Sequence, residues 1–149
     1  MNHSSKTVCV VGASGLLGSN VLKEALARGY KVNGTLRDVN APGKATFLNA
    51  LPNAEANLRL FEAEMADKAS FDDAFSNVDC VFIACLIPVY KGPTGKPARE
   101  MDDEQGYAEI IMPTVNGCLN IMNAAAKQRV KNVVICSSTS TTNPIPPVP

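Results

Sequence analysis

Residues 7–18 read TVCVVGASGLLG, and this stretch decides the fold. The β-branched residues Thr7, Val8, Val10 and Val11 favour an extended strand, which Gly12 ends abruptly. Gly15 and Gly18 follow at three-residue spacing, and from Leu16 the apolar period changes from strand-like to helix-like. Strand, glycine turn and helix N-terminus in this order form a cradle for a dinucleotide pyrophosphate. The first glycine permits a turn closed to side chains. The second lets backbone N–H groups approach the phosphates, and the third lets the helix lie against the strand. The helix start presents unpaired N–H donors and a charge of about +0.5.

Working outward, strands and helices alternate. The helix after Gly15 carries Leu16, Leu17, Val21, Leu22, Ala25 and Leu26 as its apolar face, and Gly29 closes it. Further strands are expected at 31–36, 58–63, 78–85 and 132–136, and short helices at 44–51 and 70–75. The nearly unbroken apolar run 78–85 suits a central parallel strand buried on both faces. Residues 88–103, with Gly92, Pro93, Gly95 and Pro97, read as an exposed loop. Residues 104–127 are helical in pattern, and Pro113 either kinks that helix or starts a new one. Its second part stacks Val115, Leu119, Met122 and Ala126 on one face. These elements make an α/β, Rossmann-type doubly wound parallel sheet of order 3-2-1-4-5, ending after the fifth strand. The domain spans residues 1–142, and a proline-rich tail, NPIPPVP, occupies 143–149.

Composition narrows the function classes. The chain has 149 residues, zero formal net charge and no long basic run, which points away from nucleic-acid partners and membrane surfaces. No apolar stretch reaches the roughly 18 residues a membrane span requires. Five cysteines without a C-x-x-C pair suit a reducing, cytoplasmic setting. The one histidine, His3, stands in a polar leader, so no metal site is expected.

The blocks GASGLLG, GYKVNGTLRD, SFDDAF, PTVNGCLNIMNAA and VKNVVICSS, in this order, resemble the extended short-chain dehydrogenases/reductases. They are most similar to the branch of dihydroflavonol reductase and cinnamoyl-CoA reductase-like enzymes. The resemblance implies that Gly12, Ser14, Gly15, Leu16, Leu17 and Gly18 form the pyrophosphate turn. It places Glu64 and Met65 at the adenine, where the family has Asp-Leu, and Ala84, Cys85 and Leu86 near the nicotinamide ribose. Asn116 and Ser138 match the helix Asn and the catalytic Ser of the family.

Arg37 and Asp38 stand about 20 residues after the glycine turn, where ribose recognition is decided. An acid there favours the 2′-hydroxyl of NAD, whereas an arginine forks onto the 2′-phosphate of NADP. The resemblance implies NADP(H), with Arg37 on the phosphate, and Lys44 can add a second cation. Reductases of this family complete their chemistry with a Tyr-x-x-x-Lys pair. Here Tyr30, Tyr90 and Tyr107 are followed four residues later by Gly34, Thr94 and Ile111. The expectation is therefore the cofactor-binding portion of an NADP(H)-dependent carbonyl reductase for a small molecule, its substrate-binding part and acid lying outside this sequence. The alternative is a non-catalytic NADP(H)-binding sensor or docking module. The sequence leaves oligomeric state open.

Overall fold

The computed structural model describes residues 6–85, 92–93 and 95–138. Its core is one five-stranded parallel sheet of order β3-β2-β1-β4-β5, as the alternating pattern predicts. The strands are β1 (Thr7–Val11), β2 (Lys31–Leu36), β3 (Leu58–Glu62), β4 (Cys80–Ile83) and β5 (Asn132–Ile135). Between them run α1 (Leu16–Ala27), α2 (Lys44–Asn49), α3 (Ala54–Asn57), α4 (Asp103–Gly106) and α5 (Met112–Lys127). Right-handed crossovers put α1 on one face of the sheet and α5 on the other.

Alternation along β1 explains why its apolar run is unbroken. Val8 and Val10 pack with Leu22 and Leu26 of α1, Val32 and Leu48. Cys9 and Val11 point the other way, into a core with Val81, Ile83, Phe71, Phe75 and Ile121. Both sides of the strand are therefore apolar, as a sheet covered on both faces requires.

Several expectations need correction. The helix expected at 70–75 is a run of turns, with Asp72 N–H donating to Ala69 O and Phe75 N–H to Phe71 O. Ser70 does not cap a helix, because its hydroxyl donates to the carbonyls of Glu64 and Asp67. Phe71 and Phe75 are nevertheless both buried, with ring centroids 5.4 Å apart, so the segment keeps its packing role. Of the two readings of Pro113, the second holds: it sits in the first turn of a new helix, α5, and the chain reaches it through a π-turn at Tyr107–Ile111. The reason is that proline has no N–H for an ordinary helical bond.

The face of α5 is also different from the one the period suggested. Gly117, Asn120, Ile121, Ala124 and Ala125 are buried, while Val115, Leu119 and Met122 are 43%, 51% and 38% exposed. Ile121, Ala124 and Ala125 pack into the core with Cys9, Val81 and Phe71. On α1, Leu16 and Leu17 project outward, and the buried set is Gly18, Leu22, Ala25 and Leu26.

Candidate cofactor site

The strand ends and the glycine turn enclose a cavity of about 470 Å³ at the carboxyl edge of the sheet. β1 leads into Gly12, whose φ of 79° lies in the left-handed region. Gly12 N–H donates to Thr35 Oγ1 at 3.4 Å and Ala13 N–H to Thr35 O at 3.0 Å, so β2 holds the turn. A Cβ on Gly12 would stand 2.6 Å from Cys85 Cβ, and one on Gly18 would stand 2.1 Å from Gly12 O. The first glycine thus keeps clear of β4, and the third lets α1 close against the turn.

Gly15 is the residue before α1, and no side chain caps the helix there. The first bond into the helix from this end is Ser19 N–H to Gly15 O, so Leu16, Leu17 and Gly18 open it. An uncapped 12-residue helix end of this kind is suited to an anion, because its N–H groups are otherwise left to water.

The cavity wall is made by Gly12, Ser14, Gly15 and Leu16 on one side and Arg37 at the end of β2. Glu64 and Met65 after β3, and Ala84 and Cys85 after β4, complete it. Leu17 and Gly18 do not line it; Leu17 is half-exposed and Gly18 serves packing. Leu86 lies outside the described residues. Glu64 is exposed, and one carboxylate oxygen accepts the Met65 N–H at 3.0 Å.

Beside this cavity lies a second, of about 290 Å³, lined by Ser14, Arg37, Asp38, Ala41 and Lys44. Ser14 and Arg37 border both. Asp38 commits one carboxylate oxygen to Asn40 N–H at 2.8 Å, forming a local turn. Neither Arg37 nor Lys44 makes an ion pair among the described residues. A niche with two free cations fits a phosphate.

Asn120 was not expected to matter, because a helical asparagine in sequence reads as a surface residue. It is buried, and its Nδ2 donates to Met65 O at 2.8 Å, which ties α5 to the cavity wall. Cys85 Sγ approaches Met65 Sδ at 3.7 Å, and burial pushes its thiol up to about 11. The thiol is therefore neutral at physiological pH and acts as wall, not nucleophile. Asn116 and Ser138 are both exposed, and neither lines the cavity.

A family model described as NAD(P)H-binding matches residues 12–149. The chain belongs to this NAD(P)H-binding family. Its similarity to the dihydroflavonol reductase branch of the extended short-chain dehydrogenases/reductases is also borne out. It is 37% identical over 144 residues to a bifunctional dihydroflavonol 4-reductase/flavanone 4-reductase of Pyrus communis, covering 96% of this chain and 38% of the relative. Vestitone reductase from alfalfa superposes with a TM-score of 0.66 at 31% identity, over 90% of this chain and 36% of that one. Gre2 from Candida albicans in complex with NADPH gives 0.68 at 27% identity, over 89% and 37%. The chain thus spans less than two fifths of the length of these relatives. Among the described residues no helix is long and apolar enough to cross a membrane.

Proposed function

We propose that this chain is the cofactor-holding part of an NADP(H)-dependent carbonyl reductase acting on a small molecule in the cytoplasm. The observation that carries the reading is the pair of adjoining cavities, one bordered by an uncapped glycine turn and the other by Arg37 and Lys44. The N–H groups opening α1 take the pyrophosphate, with Gly12 and Gly15 keeping the backbone close. Met65 and Glu64 border the adenine, and Arg37 with Lys44 neutralises the 2′-phosphate. Ala84 and Cys85 flank the nicotinamide end, and the bound cofactor supplies the hydride. Asn116 and Ser138 serve the carbonyl in the complete enzyme. Without a Tyr-x-x-x-Lys pair, the chain by itself binds cofactor and does not turn over substrate. Five free cysteines support a reducing compartment.

Calorimetric titration with NADPH and, separately, NADH tests this. A charge-assisted bond contributes about 1.5–3 kcal/mol, so Arg37→Ala should weaken NADPH by roughly 10- to 100-fold and leave NADH nearly unchanged. Lys44→Ala should act in the same direction by less. Equal loss for both cofactors would refute the assignment of Arg37, and binding of neither to the parent chain would refute the cofactor reading itself.

A further inference from the structure

We propose that Asp38 is a positioning residue for the phosphate niche: its carboxylate holds the turn that carries Lys44 to the niche wall. The acid beside Arg37 thereby serves NADP(H) selectivity although its charge is of the wrong sign to touch a phosphate. The inference rests on the reading of the Arg37–Lys44 niche as the 2′-phosphate site.

An acid set between two cations would ordinarily pair with one of them. Asp38 lines the niche of about 290 Å³ together with Arg37 and Lys44, yet among the described residues it makes no ion pair with either. Its Oδ1 accepts Asn40 N–H at 2.8 Å instead. An aspartate bonded to the N–H two residues on closes an Asx turn. Pairing with Arg37 or Lys44 would neutralise a cation that a phosphate needs, so the backbone bond keeps the acid and the cations apart.

That bond starts a run of turns that ends at Lys44. Asp38 O accepts Ala41 N–H at 3.4 Å, and Ala41 O accepts Lys44 N–H at 3.2 Å. The first of these is longer than the usual 2.7–3.2 Å range, which leaves the side-chain bond of Asp38 as the firmer contact at the start of the loop. Pro42 has no N–H to add. Gly43 turns the chain with a φ of 77°, and no side chain caps α2, whose first residue is Lys44. The place of that lysine therefore depends on the turns before it. Ala41 and Lys44, where the two turns end, both line the niche.

Two neutral substitutions test this, since Asp38→Asn keeps an acceptor for Asn40 N–H and Asp38→Ala does not. Both remove the charge, so its effect cancels between them. Each is titrated calorimetrically with NADPH and with NADH, alone and in a Lys44→Ala background. Asp38→Ala should bind NADPH roughly 2- to 10-fold more weakly than Asp38→Asn, the worth of one hydrogen bond. NADH should not distinguish the two. With Lys44→Ala the NADPH gap should close, because no lysine remains for the turn to place. A gap that persists without Lys44, or that is equal for NADH, makes the turn merely structural and overturns the proposal. If the parent prefers NADPH and the two neutral variants bind it alike, the proposal alone fails. If the parent binds neither cofactor, the reading of the niche fails and takes the proposal with it.

Discussion

Replacing Gly18 by alanine sets two effects of opposite sign against each other. In a helix, alanine is favoured over glycine by about 0.5–1 kcal/mol. Against this, the new Cβ would stand 2.1 Å from Gly12 O, 2.8 Å from Gly12 C and 3.1 Å from Ala13 Cα. Carbon and oxygen tolerate no less than about 3.3 Å, so α1 and the glycine turn must part by about 1 Å. The obstruction is backbone, and no side chain can swing aside. Overpacking of this kind costs about 1–3 kcal/mol, and the rigid neighbours put this case at the upper end. The net expectation is a loss of about 2 kcal/mol, or roughly 4–8 °C in Tm for a domain of this size. Gly106→Ala is the matched control. Gly106 has helical φ and ψ of −60° and −41°, and nothing lies within 4 Å of an added Cβ. That variant should gain about 0.5–1 kcal/mol. Thermal melts followed by circular dichroism compare the two. If Gly18→Ala melts at or above the parent, close helix–turn packing is not what this glycine provides.

Other variants probe the wall of the cavity. Asn120→Ala removes the donor to Met65 O and leaves a buried carbonyl unpaired, at a cost of about 1–3 kcal/mol; urea denaturation at unchanged m-value should show the loss, and an unchanged midpoint would mean water replaces the amide. Cys85, with its thiol raised to about 11 from 9.0 by burial, should react with iodoacetamide much more slowly at pH 8 than an unfolded-state thiol. Since the raised group is neutral when protonated, its contribution to stability is present below about pH 9 and is lost as pH rises through about 11. Mass spectrometry of the Cys85 peptide across that range checks the reaction, and a thiol already reactive at pH 8 would contradict the burial.

Much of this architecture was legible because the strands carry their signal in local composition. The β-branched run 7–11 and the apolar run around β4 each need two covered faces, and both got them. The glycine turn was legible because close backbone approach leaves no substitute for glycine. The orientation of α5 was not. Its large apolar residues repeat on one stripe, yet the core takes the stripe of Gly117, Ile121, Ala124 and Ala125, and a Cβ on Gly117 would stand 2.8 Å from Met65 Cε. Asn120 escaped notice for the same reason: its partner is a carbonyl 55 residues earlier, which no local pattern contains. The 70–75 turns were missed because Ser70 answers to Glu64 and Asp67 rather than to its own helix.

The sheet order has a consequence for how the cavity comes into being. Val8 lies beside Cys80, and Thr7 N–H reaches Asp79 Oδ2 across 72 positions of sequence. Loop closures of that length come late in folding, because their entropy must be met before the contacts reward it. Ala84 and Cys85 reach the glycine turn only after β4 has docked on β1. A ligand that touches both sides therefore recognises only chains that have completed this step. It would act as a clasp on this long-range joint, stabilising the state in which β4 has paired with β1.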